Sequence, residues 1–136
     1  MSFKDYLKEQ QFEAPIGIHI NDDFEPWTDW ILDGKKTIET RNKPTLNSYV
    51  GQKVGLIKTG KKKQATLIGY ATIEEPIKYN SPEEFNKDYD KHRVSADSKF
   101  YHDGLKYGYP LTNVKRTTPI AIDNKWIKNR QARFLK

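Results

Sequence analysis

Cysteine is absent from these 136 residues, and the only methionine is Met1. The missing thiols exclude a disulfide framework and thiolate chemistry, and they make the cytoplasm a more natural setting than a secreted one. Long apolar runs are missing as well. No stretch is long enough to cross a bilayer, and Met1-Ser2-Phe3-Lys4-Asp5-Tyr6-Leu7-Lys8 lacks the apolar segment of a signal peptide, so no membrane partner is expected. Neither a Walker loop nor a G-x-G-x-x-G occurs, which leaves nucleotide cofactors without support, and no cofactor is expected. The three histidines, His19, His92 and His102, are far apart and show no H-x-x-x-H spacing, so no metal site is expected; His92 reads as a helix-face residue. Acids are also in deficit. Against 24 Lys and Arg stand 18 Asp and Glu, a formal charge of +6. With three Trp, eight Tyr and six Phe available for stacking, that balance favours a polyanion as partner.

The length suits one domain. Residues 1 to 13 carry a weak helical pattern with Ser2 as cap and read as an appendage. Ile16-Gly17-Ile18-His19-Ile20 alternates as a first core strand, closed by the turn residues Asn21-Asp22-Asp23. Lys53 to Lys58 and Gln64 to Ile73 are β-rich runs joined by Thr59-Gly60-Lys61-Lys62-Lys63, a hairpin with a basic tip. Ser81-Pro82-Glu83-Glu84 is a capping box, and the spacing predicts a helix from Pro82 to His92 with Phe85, Tyr89 and His92 on its inner stripe. From Lys99 to Ile122 two further strands are expected, broken at Asp103-Gly104 and at Arg116-Thr117-Thr118-Pro119. The last dozen residues hold five cations and no acid, and read either as a nucleic-acid arm or as a basic helix docked through Trp126, Ile127 and Phe134. Strands mixed with two or three helices and no regular βαβ alternation imply a compact α+β barrel.

The densest chemistry lies in Gly34-Lys35-Lys36-Thr37-Ile38-Glu39-Thr40-Arg41, which reads G-x-K-x-x-E-x-R. Pro26 to Asp33 upstream reads as a short helix that Gly34 ends. Thr37 to Arg41 then alternates as a strand, with Ile38 toward the core and Thr37, Glu39 and Arg41 on the other face. On such a face the cations Lys36 and Arg41 could hold a phosphate or base oxygen while Glu39 takes up protons or fixes the lysine; the plain alternative is a surface ion pair. On a cleft face, where an isostere leaves the core untouched, Glu39→Gln is expected to keep the fold and melting temperature within a small margin.

Helix, turn and strand in this order resemble the ASCH domain, a branch of the PUA-like superfamily whose signature is matched at Gly34, Lys36, Glu39 and Arg41. The similarity extends to Gly51-Gln52-Lys53-Val54-Gly55-Leu56-Ile57 and to Tyr107-Gly108-Tyr109-Pro110-Leu111, where relatives often carry Trp in place of Tyr109, and covers about residues 16 to 123. The resemblance implies a PUA-like mixed β-barrel, a pseudobarrel with two to three flanking helices, and a cleft lined by the motif. It implies catalytic or proton-handling roles for Lys36 and Glu39, and binding roles for Arg41 and Tyr109.

RNA is the expected partner, single strands being favoured. Lys58, Lys61, Lys62 and Lys63 suit a hairpin riding along a phosphate backbone, or one that blocks edge pairing. Cations interleave with rings in Lys99-Phe100-Tyr101-His102 and Lys106-Tyr107-Gly108-Tyr109, as in surfaces that stack unpaired bases. The first reading is therefore an RNA-binding ASCH domain recognising single-stranded or modified RNA. The second is an enzyme on the same cleft. The family offers ribonuclease activity and, ranked below it, N4-acetylcytidine amidohydrolase activity, whose threonine nucleophile falls where this chain has Glu39. The third is a protein-interaction module for an acidic partner.

Overall fold

The structure, a computed structural model, describes Ser2, residues 12 to 95 and residues 106 to 135. Most of the expected N-terminal helix, and Lys99 to His102, lie outside those residues. The described elements are β1 (Ile16–Asn21), α1 (Trp27–Leu32), β2 (Ile38–Arg41), β3 (Lys53–Thr59), β4 (Thr66–Ile73), β5 (Ile77–Tyr79), α2 (Pro82–Lys87), α3 (Tyr89–His92), β6 (Lys106–Ala121), β7 (Ile127–Asn129) and β8 (Ala132–Phe134). One-turn 3-10 helices span Asn47–Tyr49 and Asn124–Trp126.

The strands form one mixed sheet in the order β2-β6-β4-β3-β1-β8-β7, with β5 also on β6. β1 runs parallel to β3, and the other pairings are antiparallel. The sheet curls into a half-barrel: Arg41, on the terminal strand β2, reaches across to the carbonyl of His19 on β1, four strands away in the sheet order. A seam therefore runs between β2 and the β1–β8 side.

The central strands β3 and β4 are buried on both faces. Leu56, Ile68 and Ala71 face the larger core with Trp27, Ile31 and Tyr109, while Ile57, Leu67 and Tyr70 face a smaller one completed by Phe12, Ile122 and Leu135. Burial on both sides explains why these strands read as nearly continuous apolar runs instead of clean alternation. Gly69 sits at a shift in the β4–β6 register, where a Cβ would lie 2.4 Å from the Lys115 carbonyl oxygen, so only glycine lets the two backbones approach.

Three expectations change. The helix over 82 to 92 is two helices broken at Asp88 (φ −95°, ψ 15°), whose carboxylate accepts a 2.6 Å hydrogen bond from the Tyr79 hydroxyl. The break rotates the second helix, so Phe85 and His92 are buried while Tyr89 is 41% exposed. The capping serine is as expected: the Ser81 hydroxyl accepts from the Glu84 N–H at 3.1 Å. Second, Arg116 to Pro119 interrupts nothing. β6 runs 16 residues through it, because the missing Pro119 N–H falls where the pairing skips from Leu67↔Ile120 to Gly69↔Arg116. Third, the basic C-terminal segment is neither an arm nor a helix. It is the β7–β8 hairpin, and β8 joins the sheet beside β1 with Ala132 and Leu135 fully buried. Ile127 and Phe134 point outward, 50% and 46% exposed. Among the described residues no helix is long and apolar enough to cross a membrane.

Candidate functional site

Local backbone chemistry aims the motif. Helix α1 is anchored by Asp22, whose carboxylate accepts from both the N–H and the hydroxyl of Thr28. It ends at Gly34, which takes φ +82°, a left-handed conformation that an L side chain adopts only with strain. The turn sends the chain inward, so Lys36 enters the interior and β2 starts against β6. Helix α3 then closes over the segment: the Lys91 carbonyl accepts from Thr37 N–H at 2.8 Å, and the His92 carbonyl accepts from Lys36 Nζ.

Lys36, Glu39 and Arg41 form a continuous chain of charge. Lys36 Nζ lies 3.5 Å from Glu39 Oε1, and Arg41 donates to Glu39 Oε2 at 3.0 Å. Their side chains are 1%, 9% and 16% exposed, so this is a buried triad rather than a surface ion pair. Burial pushes the Lys36 ammonium below the ordinary lysine value, the Glu39 carboxylate opposes that, and the Arg41 charge adds a smaller push downward. Arg41 also donates to the Gln131 side chain and to the His19 carbonyl, tying β2 to β1 and to the C-terminal hairpin.

The triad lines a cavity of about 670 Å³ in the seam, within the usual range for small-molecule sites. Among the described residues five cations, Lys36, Arg41, Lys43, Arg130 and Arg133, border it, and one carboxylate, that of Glu39. Trp27 supplies an aromatic wall and also stands 5.5 Å, at its ring centroid, from Lys36 Nζ. Thr40, which strand alternation puts on the Ile38 side and not with Glu39 and Arg41, borders the cavity too. His19 is neutral. Arg133 can only donate, so His19 Nε2 accepts from it at 3.1 Å and Nδ1 carries the proton donated to the Arg130 carbonyl at 2.9 Å. Burial and the nearby Arg133 and Arg41 charges lower the His19 pKa.

The remaining expected residues do not converge here. Tyr109 stands opposite Glu39 in the β2–β6 register but is fully buried in the core, its hydroxyl donating to Asn47 Oδ1 at 2.6 Å. It supports the strand and is not part of the cavity wall. Lys61 and Lys62 are exposed at the hairpin tip, and Lys63 pairs with Asp23 at 3.6 Å. Lys58 lies 3.9 Å from the Asp22 carboxylate, in a smaller recess it shares with Lys63. His92 is a buried structural residue, stacked on Phe85 with centroids 4.0 Å apart and accepting from Val94 N–H. Among the described residues no group of three His, Asp or Glu side chains is placed to hold a metal ion.

Sequence reasoning missed His19, Arg130, Gln131 and Arg133. For Arg130, Gln131 and Arg133 the only signal is the basic composition of the C-terminal stretch, and for His19 there is none, since pairing of β8 with β1 is non-local.

A scan of protein-family models and a search of curated proteins return no match to the sequence. Solved structures do match. The crystal structure of ASCH from Zymomonas mobilis aligns with a TM-score of 0.63 at 15% identity, covering 88% of this chain and 87% of that one. A tyrosine-to-phenylalanine variant of that protein gives 0.64 at 16% identity over 88% and 90%, and a serine-to-alanine variant gives 0.61 at 16% over 88% and 88%. The curled mixed sheet, with three short α-helices among the described residues, is thus an α+β half-barrel, the fold class of those structures. Within that class the chain has the ASCH-domain fold, in agreement with its G-x-K-x-x-E-x-R motif.

Proposed function

We propose that this ASCH-fold protein binds RNA, single-stranded or modified, in the seam cavity. The observation that supports it most is the lining itself: among the described residues, five cations and one carboxylate around a space of about 670 Å³ with a tryptophan in its wall. A positive, aromatic-walled cavity suits an unpaired nucleotide, whose base stacks while its phosphate meets guanidinium groups. A duplex has no unpaired base to place there. Such a ligand fits a cytoplasmic protein. Fluorescence anisotropy with a labelled single-stranded RNA and with duplex DNA tests the reading: tighter binding of the RNA, weakened at least about tenfold by Arg41→Ala, is expected. Salt-dependent binding of an acidic protein with none of RNA would favour the interaction-module reading instead.

One observation favours an enzymatic reading of the same cavity. Lys36 is buried beside Glu39 and its charged form is disfavoured by that burial, the direction that makes a lysine a readier proton acceptor. In a ribonuclease role Lys36 would draw the proton from the attacking hydroxyl, Glu39 would hold the lysine in place, and Arg41 would face the phosphate. Amide hydrolysis of N4-acetylcytidine ranks below this, because Glu39 occupies the position of the threonine nucleophile.

A further inference from the structure

The C-terminal hairpin brings more positive charge to the cavity than the motif neutralises. Glu39 compensates Lys36 and Arg41. Among the described residues no carboxylate lies within ion-pair distance of Lys43, Arg130 or Arg133, although all three line the same space. Arg133 is the telling member because it is only 6% exposed. A buried guanidinium without an anion beside it is costly, and its hydrogen-bond partners among the described residues are both neutral: His19 Nε2 and Asn124 Oδ1, at 3.1 and 2.8 Å. They orient the group without cancelling its charge. Arg133 Nε and Arg41 Nε, with the Thr45 hydroxyl, are buried and have no hydrogen-bond partner among the described residues. The two guanidinium groups also converge, since Arg41 donates to the His19 carbonyl and Arg133 to its ring.

We propose that Arg133, Arg130 and Lys43, beside Arg41, form a phosphate subsite, so that the cavity takes a phosphorylated nucleotide unit in preference to a bare nucleoside. This rests on the RNA reading and adds to it the group that is held and the residues that hold it. Two guanidinium forks with spare donors match the paired oxygens of a phosphate, which a neutral nucleoside lacks. The division of labour follows the geometry. Trp27, Lys36 and Glu39 remain for the base and sugar, and the hairpin side takes the phosphate. Placement of the C-terminal hairpin against β1 thereby becomes part of ligand recognition.

The test is calorimetry of the full chain with each of the four ribonucleosides, its 3′- and 5′-monophosphates, and a short single-stranded RNA. At least one monophosphate is expected to bind about tenfold or more tightly than its nucleoside. Arg130→Gln, at an exposed position, should reduce that gain several-fold, and Arg133→Lys, which keeps the charge but loses the fork, should reduce it further. Thermal melting of each variant checks that the fold is kept. If monophosphates bind no better than nucleosides, or the gain survives in both variants, the subsite is refuted while the RNA reading stands. Binding of the RNA without binding of any monophosphate likewise overturns the subsite alone. If neither RNA nor any nucleoside or nucleotide binds, the RNA reading itself falls.

Discussion

Replacing Glu39 by Gln removes one negative charge from between two buried or half-buried cations without changing the shape of the side chain. Lys36 Nζ is 3.5 Å from the carboxylate, so at an effective dielectric constant of about 20 the lost attraction is about 5 kcal/mol. The amide oxygen still accepts from Lys36 or Arg41, which returns about 1 to 2 kcal/mol. The His92 carbonyl still accepts from Lys36 in either case. A net destabilisation of about 3 to 4 kcal/mol follows, or roughly 10 to 14 °C in melting temperature for a chain of this size. Its pH dependence has a definite sign. Burial already holds Lys36 below the ordinary lysine value, and loss of the carboxylate drives it lower. Between the native and the higher unfolded value the unfolded chain binds more protons, so stability rises with pH across that window. The deficit of Glu39→Gln should therefore be larger at pH 6 than at pH 10, because a lysine held below its ordinary value of 10.5 loses its proton in the folded state first as the pH climbs toward that value. Thermal melts of parent and variant at both pH values measure this. A variant melting within about 2 °C of the parent, or an equal deficit at both pH values, would refute the buried-triad account.

Gly69→Ala should destabilise by at least about 2 kcal/mol, because the new Cβ would meet the Lys115 carbonyl oxygen at 2.4 Å; urea denaturation reads the loss, and a neutral result would show that the strands can part there. Lys62 holds φ 58° at an exposed turn, so Lys62→Gly is expected to stabilise by up to about 1 kcal/mol in the same assay. Charge reversal of Lys61, Lys62 and Lys63 should flatten the salt dependence of RNA binding by up to about three units of slope if the hairpin tip lies along the strand; an unchanged slope confines the interface to the cavity. Acetate release from N4-acetylcytidine should be negligible, and rapid release abolished by Lys36→Ala would require a nucleophile other than the absent threonine.

The motif carried its own local structure. Gly34 ends α1 because a left-handed turn favours glycine, Ser81 caps α2 through its hydroxyl, and the apolar runs of β3 and β4 form strands that are central for the same reason that they are apolar. Alternation likewise put Glu39 and Arg41 on one face, and the motif match put Lys36 with them. What alternation along one strand does not contain is the depth of that face. Glu39 lies on a cleft side that is nearly closed, because α3 docks over the motif and the hairpin seats against β1, and these contacts span more than 50 residues of chain. The same distance effect governed the errors. Tyr109 matched a family position yet is core, since only the curl of the sheet decides which side of β6 is covered. The basic tail contained no periodicity that distinguished arm, helix or strand; pairing of β8 with β1 settled it, and with it the presence of Arg130 and Arg133 in the cavity. Sequence alone determined which short segments turn, cap and extend, because those choices depend on neighbouring residues. The tertiary structure decided which charges are buried and which meet, because that depends on residues the chain brings together only when the sheet closes on itself.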